Sequence, residues 1–447
     1  MKNWITIAFV FILGVINAQT NPAITSWMQN TTIKARHYVA GNSTPINDSS
    51  PVNCQAVQYN TTDVYVTTTG LPSYVTGPFL DGNPSIATNQ NAIFRIPLNP
   101  VPNTGTPVNT TGGNIGIFIN GVALFDYRDG VAWNNTTQSL CGGPGNSPCP
   151  GGMGATQNWN RDAIPAEKKG FDCSKAHPAM GNYHHHQNPS AFNLDLVVIS
   201  TICNLYNADG LYAIDSTLHS PLIGYAYDGF PIYGAYGYQN ADGSGPIVRI
   251  KSSYSLNSGN TRTLGPDVSN TYPLGYFRED YHYNATSAGT PDYLDEHNGR
   301  FCVTPEYPSG IYCYFATVDA NWNSTYPYVV GPTFYGTRNA AKVTSVPSGT
   351  TTYSSTASND KINLQATQVK VFPSPTNDLI IIQLIDINKE NLKVELFDMT
   401  GRLVETTSLL QGSTIAYFDV QTLYSGQYLV KISNKNSVII QKIVVTK

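Results

Sequence analysis

Histidine is scarce in this chain, with eight among 447 residues, and five of the eight fall between His177 and His219. Three are consecutive, in "GNYHHHQNPSAF" (Gly181–Phe192). In an extended strand side chains alternate, so His184 and His186 share one face while Tyr183 and His185 share the other. Two imidazoles at i and i+2 are placed to grip one metal ion. His177 lies seven residues before His184, across Pro178 and Gly181, which are able to turn the chain back. His219 is a further candidate ligand, and Asp295 with His297 in "LDEHNG" repeats the i, i+2 spacing and adds a carboxylate. Three or four such groups suffice for a transition metal, copper or zinc. Two other uses of the same residues stay open: a structural network of His and Tyr hydrogen bonds, and acid–base work without metal, since free imidazole titrates near pH ~6.5.

Other chemistry has little to stand on. There is no G-x-S-x-G, H-E-x-x-H or Walker loop. "GGNIGIFING" opens no helix, which removes support for a dinucleotide site, and its Asn120-Gly121-Val122 reads as a turn between strands. In "GYAYDGFPIYG" (Gly224–Gly234), Asp228-Gly229 is a hairpin turn signal. Tyr225, Tyr227, Phe230 and Tyr233 around it read as core and turn rather than as an aromatic ligand platform. His282, between two tyrosines in "DYHYN", reads as surface.

The elements that position these residues are strands. Runs such as "NIGIFING" (Asn114–Gly121), "LDLVVIST" (Leu194–Thr201) and "GIYCYFATV" (Gly310–Val318) are separated by dense Gly, Pro and Asn, and no long stretch has helical spacing. The fold expected is mainly β. Charged residues are 12% and hydrophobic residues 41%, enough apolar material for a core. Net charge is −4 and no basic run exceeds Lys168-Lys169, which argues against a nucleic-acid partner.

Residues 1–18 read as a signal peptide: Lys2, an apolar run from Ile5 to Ile16, and Ala18 before the expected cut. That run is too short to span a membrane, so no membrane-spanning segment is expected in the mature protein. Export favours disulfides among the seven cysteines. Cys141–Cys149 and Cys302–Cys313 are the local candidates.

The remaining chain divides by composition. Residues 19–340 read as a β-rich domain. Residues 341–368, including "TSVPSGTTTYSSTASND", read as a Ser/Thr-rich linker. Residues 369–447 alternate as the strands of a small antiparallel β-sandwich.

Two resemblances join this reading. "VFPSPTNDLIII", "VELFDMTGRLV", "LYSGQYLVKI" and the terminal "KIVVTK" resemble the type A C-terminal sorting domain of the type IX secretion system. That implies the type IX machinery as partner and a secreted product, extracellular or attached to the outer cell surface. Residues of about 92–336 are similar to the YHYH family. The matching pieces are Tyr183-His184-His185-His186, "HSPLIGYAYDGFPIYGAYG", "LDEHNGRFCVTPEYPSGIYCYFAT" and "YPYVVG". His185 stands where that family has its second Tyr. The family carries no settled activity, so enzyme or not stays open. The leading expectation is a transition-metal site, and the alternative is a metal-free glycan- or surface-binding module or a structural adhesin.

Overall fold

The computed structural model describes residues 21–40, 45–79, 86–151, 157–189, 216–285, 289–320, 323–354, 368–385, 391–410, 413–434 and 437–447. The expected signal peptide, the run Leu194–Thr201 and Cys203 lie outside them, as does the middle of the expected linker.

The fold is mainly β. Among the described residues the largest sheet has eight strands. In chain order they are Asn114–Phe118 (β1), Ala123–Phe125 (β2), Ala176–Ala179 (β3), Asn182–His185 (β4), Leu222–Ala226 (β5), Pro231–Tyr233 (β6), Gly299–Cys302 (β7) and Ile311–Phe315 (β8). Across the sheet they lie in the order β3-β4-β2-β1-β5-β6-β8-β7. Neighbours are antiparallel except β4 with β2 and β6 with β8. The central strands β1, β5 and β6 are buried along almost their whole length, and Ile117, Phe118, Tyr225 and Ile232 are fully enclosed. Both expected turns are present, with Gly121 at φ 80° and Gly229 at φ 90°, where glycine lacks the Cβ that would resist.

A five-stranded sheet carries Cys54–Tyr59, Asp63–Thr68 and Ala92–Pro97. A smaller three-stranded sheet carries Arg128–Asn134, Ser139–Cys141 and Asn160–Asp162. The last of these runs directly into the short helix Ala163–Glu167, whose N-cap is Asp162 accepting from the Ile164 amide at 2.8 Å. Buried Ile164 ties that helix to the main core.

The linker boundaries need correcting. Ala341–Val343 pairs with Ala92–Pro97, and Thr351–Tyr353 pairs with Cys54–Tyr59, so both belong to the five-stranded sheet. Their side chains are exposed or half-buried. Polar composition marked them as linker, yet edge strands are held by backbone hydrogen bonds that composition does not record.

The C-terminal residues form two antiparallel sheets. One holds Val369–Phe372, Leu379–Leu384 and Ile415–Asp419. The other holds Leu392–Asp398, Leu403–Leu409, Gly426–Ser433 and Val438–Val445. Alternate residues such as Ile380, Ile382, Val394, Leu396, Val430 and Ile432 are fully buried in one core, which makes this a sandwich.

Cys141 and Cys149 are bonded, with Cα atoms 4.8 Å apart, and Cys173 is also in a disulfide. The expected Cys302–Cys313 bond is not formed. Both are buried free thiols, and the Cys313 thiol donates to the Ile311 carbonyl at 3.4 Å. Cys302 faces Ile311 and Cys313 faces Arg300, so the two are diagonal neighbours. Diagonal positions lie roughly 7–8 Å apart, at or beyond the reach of an unstrained disulfide.

Candidate metal centre

The hairpin β3–β4 sets the site. Its register pairs His177 with His184 directly, which puts their side chains on one face. The two-residue turn between the strands is Met180-Gly181, with φ values of 50° and 82°. A Cβ on Gly181 would lie 2.2 Å from Thr88 Oγ1, so only glycine fits there. His186 follows β4 and returns to the same face as His184. One ligand atom from each of His177, His184 and His186 lies within 4.8 Å of the other two, and all three residues are buried.

Their tautomers follow from their partners. His184 Nδ1 is 2.8 Å from the Asn182 carbonyl oxygen, and His186 Nδ1 is 2.6 Å from that of Asp126. A carbonyl oxygen only accepts, so each Nδ1 carries the hydrogen and donates it. In a neutral ring that leaves Nε2 bare. The two Nε2 atoms face each other at 3.1 Å. This is the arrangement of metal-ligating histidines, whose remote N–H is fixed by a backbone carbonyl.

Three further residues shape the pocket. The Phe125 ring of β2 stacks on His184, with centroids 3.8 Å apart and planes at 20°. Phe171 meets the His177 ring edge-on at 5.0 Å. Glu167, the last residue of its helix, places Oε2 3.2 Å from both His177 Nε2 and His186 Nε2. Burial holds the His184 imidazole well below its ordinary pKa, with His186 and His177 adding to the effect.

The other sequence candidates lie elsewhere. His219 packs against Tyr233 and Tyr238, with its Nδ1 donating to the Ser220 carbonyl at 2.7 Å. Asp295 caps a tight turn, accepting from the amides of His297 and Gly299 and from the Tyr312 hydroxyl. His297 Nδ1 bonds Thr333 Oγ1 at 2.6 Å. None of these three joins the cluster of His177, His184 and His186 among the described residues. His282 is exposed, as expected. Glu167, Phe125 and Phe171 escaped sequence reasoning, because none of them lies in the histidine hairpin Ala176–His185 itself.

The YHYH protein family matches residues 93–327, more than half of the chain. The chain belongs to that family. The string Tyr183–His186 therefore overlaps strand β4 and carries two of the three clustered histidines. His185, the departure from the string, points to the opposite face, where its Nε2 lies 3.1 Å from the Tyr74 hydroxyl. The substitution leaves the histidine face untouched. Residues 370–446 match the secretion system C-terminal sorting domain, which makes this YHYH protein a secreted one sorted by the type IX system. No helix among the described residues is long and apolar enough to cross a membrane.

No curated protein matches the chain. Among solved structures, one similar chain is a DUF3244 family protein with an immunoglobulin-like β-sandwich fold from Bacteroides vulgatus. It is 14% identical, covers 17% of this chain and 83% of its own, and has a TM-score of 0.16.

Proposed function

We propose that the YHYH domain of this exported protein binds one divalent transition-metal ion through the Nε2 atoms of His177, His184 and His186. One observation carries the reading: two Nε2 atoms face each other at 3.1 Å while both Nδ1 hydrogens are committed to carbonyls. Bare lone pairs at that distance repel unless a positive species lies between them. Two nitrogens bound to one tetrahedral zinc sit about 3.3 Å apart, given bonds of roughly 2.0–2.1 Å. A shared proton would serve two nitrogens only, whereas three converge here.

The nitrogen-rich donor set favours zinc or copper over calcium or magnesium, which take oxygen ligands. All three imidazoles are buried, and burial holds His184 neutral and ready to bind. Elemental analysis of the purified full chain after incubation with zinc or copper tests the proposal. One ion per chain is expected, lost when His184 and His186 are both replaced by Ala and retained in His185→Gln. A wild-type chain that takes up neither metal, or a His185 variant that loses it equally, would overturn the reading.

A further inference from the structure

Glu167 belongs to none of the motifs that mark the histidines, and it enters from a different sheet. Its helix Ala163–Glu167 continues the three-stranded sheet through Asn160–Asp162, whereas His177 and His184 belong to the eight-stranded sheet. We infer that Glu167 is the fourth ligand of the metal centre, closing it as a three-nitrogen, one-oxygen structural site that clamps the two sheets together. The inference rests on the metal-binding reading given above.

Three observations carry it. Glu167 Oε2 is 3.2 Å from His177 Nε2 and 3.2 Å from His186 Nε2, close to the spacing of two ligands on one tetrahedral ion. That oxygen is buried, yet no hydrogen-bond donor is aligned on it, so its short contacts are not the ordinary satisfaction of a carboxylate. The Arg161 guanidinium, on the strand that leads into this helix, pairs with Asp129 instead.

The chemical consequence is specific. Three protein ligands leave a position open for water or substrate, whereas four close the coordination sphere. A carboxylate also cancels one of the two positive charges of the ion, which lowers the cost of holding it in a buried pocket. The ion then fixes the helix to the hairpin, a contact that the two sheets do not otherwise make through paired strands among the described residues.

Cobalt(II) in place of the native ion reads the coordination number through its visible absorption. The full wild-type chain is expected to give the strong bands of four-coordinate cobalt. Glu167→Ala should weaken and shift those bands as water enters, and should lower affinity by at least the roughly 10–100-fold seen when outer-shell partners are lost. Glu167→Gln, which keeps the shape and removes the charge, serves as the variant least able to disturb folding and should also weaken binding. If both variants keep the wild-type spectrum and affinity, Glu167 is not a ligand, and the three-histidine centre stands without it. If the wild-type chain binds no cobalt, zinc or copper, the centre itself is overturned.

Discussion

His177 and His184 face each other across a two-residue turn, seven positions apart in sequence and direct partners in the β3–β4 register. The pairing depends on Gly181. Its φ of 82° and the 2.2 Å approach of Thr88 Oγ1 leave no room for a side chain. Replacing Gly181 with Ala should cost about 1–2 kcal/mol for the left-handed backbone alone. It should also shift the two imidazoles relative to one another. Thermal unfolding and zinc titration of the variant should fall together. A variant with lowered stability and unchanged affinity would show that the turn does not position the ligands.

How much of this was legible in advance differs residue by residue. His184 and His186 were legible because a strand alternates with period two, and His177 because a short hairpin brings i and i+7 together. Asp295 and His297 have the same i, i+2 spacing, but they sit in a turn, where alternation does not apply and the carboxylate is consumed by backbone amides. His219 was suggested by its block of sequence and is instead held by aromatic rings. Glu167 had no local signal at all. It meets the histidines through the packing of two sheets, which pairwise spacing along the chain does not encode. The β-rich class and the sandwich at the C-terminus were legible from strand periodicity, whereas the edge strands Ala341–Val343 and Thr351–Tyr353 were hidden by their polar side chains.

His219 gives a pH prediction. Burial lowers its pKa to about 4, against the 6.5 of a free imidazole, and nearby Arg300 contributes in the same direction. Above pH ~6.5 both folded and unfolded chains hold it neutral, so it has no effect there. As pH falls from about 6.5 to about 4, the unfolded chain takes a proton that the folded chain refuses, and stability drops by on the order of 3 kcal/mol. His219→Phe should flatten that part of the stability–pH curve. Equal slopes for the two proteins in denaturant melts at pH 7, 5.5 and 4.5 would contradict the assignment.

Arg262 and Asp280 form a buried ion pair, with Nε to Oδ1 at 2.6 Å and Nη2 to Oδ2 at 2.9 Å. Asp280 also accepts from the amides of Gly275 and Phe277. Asp280→Ala leaves the guanidinium buried without its partner, and such losses cost about 3–5 kcal/mol. Replacing a surface-exposed pair member, such as Arg402 with Ala, should cost less than about 1 kcal/mol by the same denaturant assay.

The Cys141–Cys149 bond closes a loop with a sequence separation of 8. A loop that short restricts the unfolded chain modestly, so the double replacement by Ser should lower stability by about 2–3 kcal/mol. Calorimetry of the two proteins checks the figure. A loss near zero would mean that strain in the bond cancels its entropic benefit.

The five-stranded sheet has one consequence for how this protein survives among copies of itself. Ala341–Val343 covers one outer side of the sheet and Thr351–Tyr353 covers the other. Each is three residues long, with exposed polar or charged side chains such as Lys342 and Thr351. Short polar borders of this kind are poor templates for the strands of another molecule. A chain ended at residue 340 would lose both at once and lay bare the longer strands Cys54–Tyr59 and Ala92–Pro97. Such a chain would be primed for sheet-to-sheet aggregation, so the stretch that looks most dispensable by composition guards the exported protein against fibre growth.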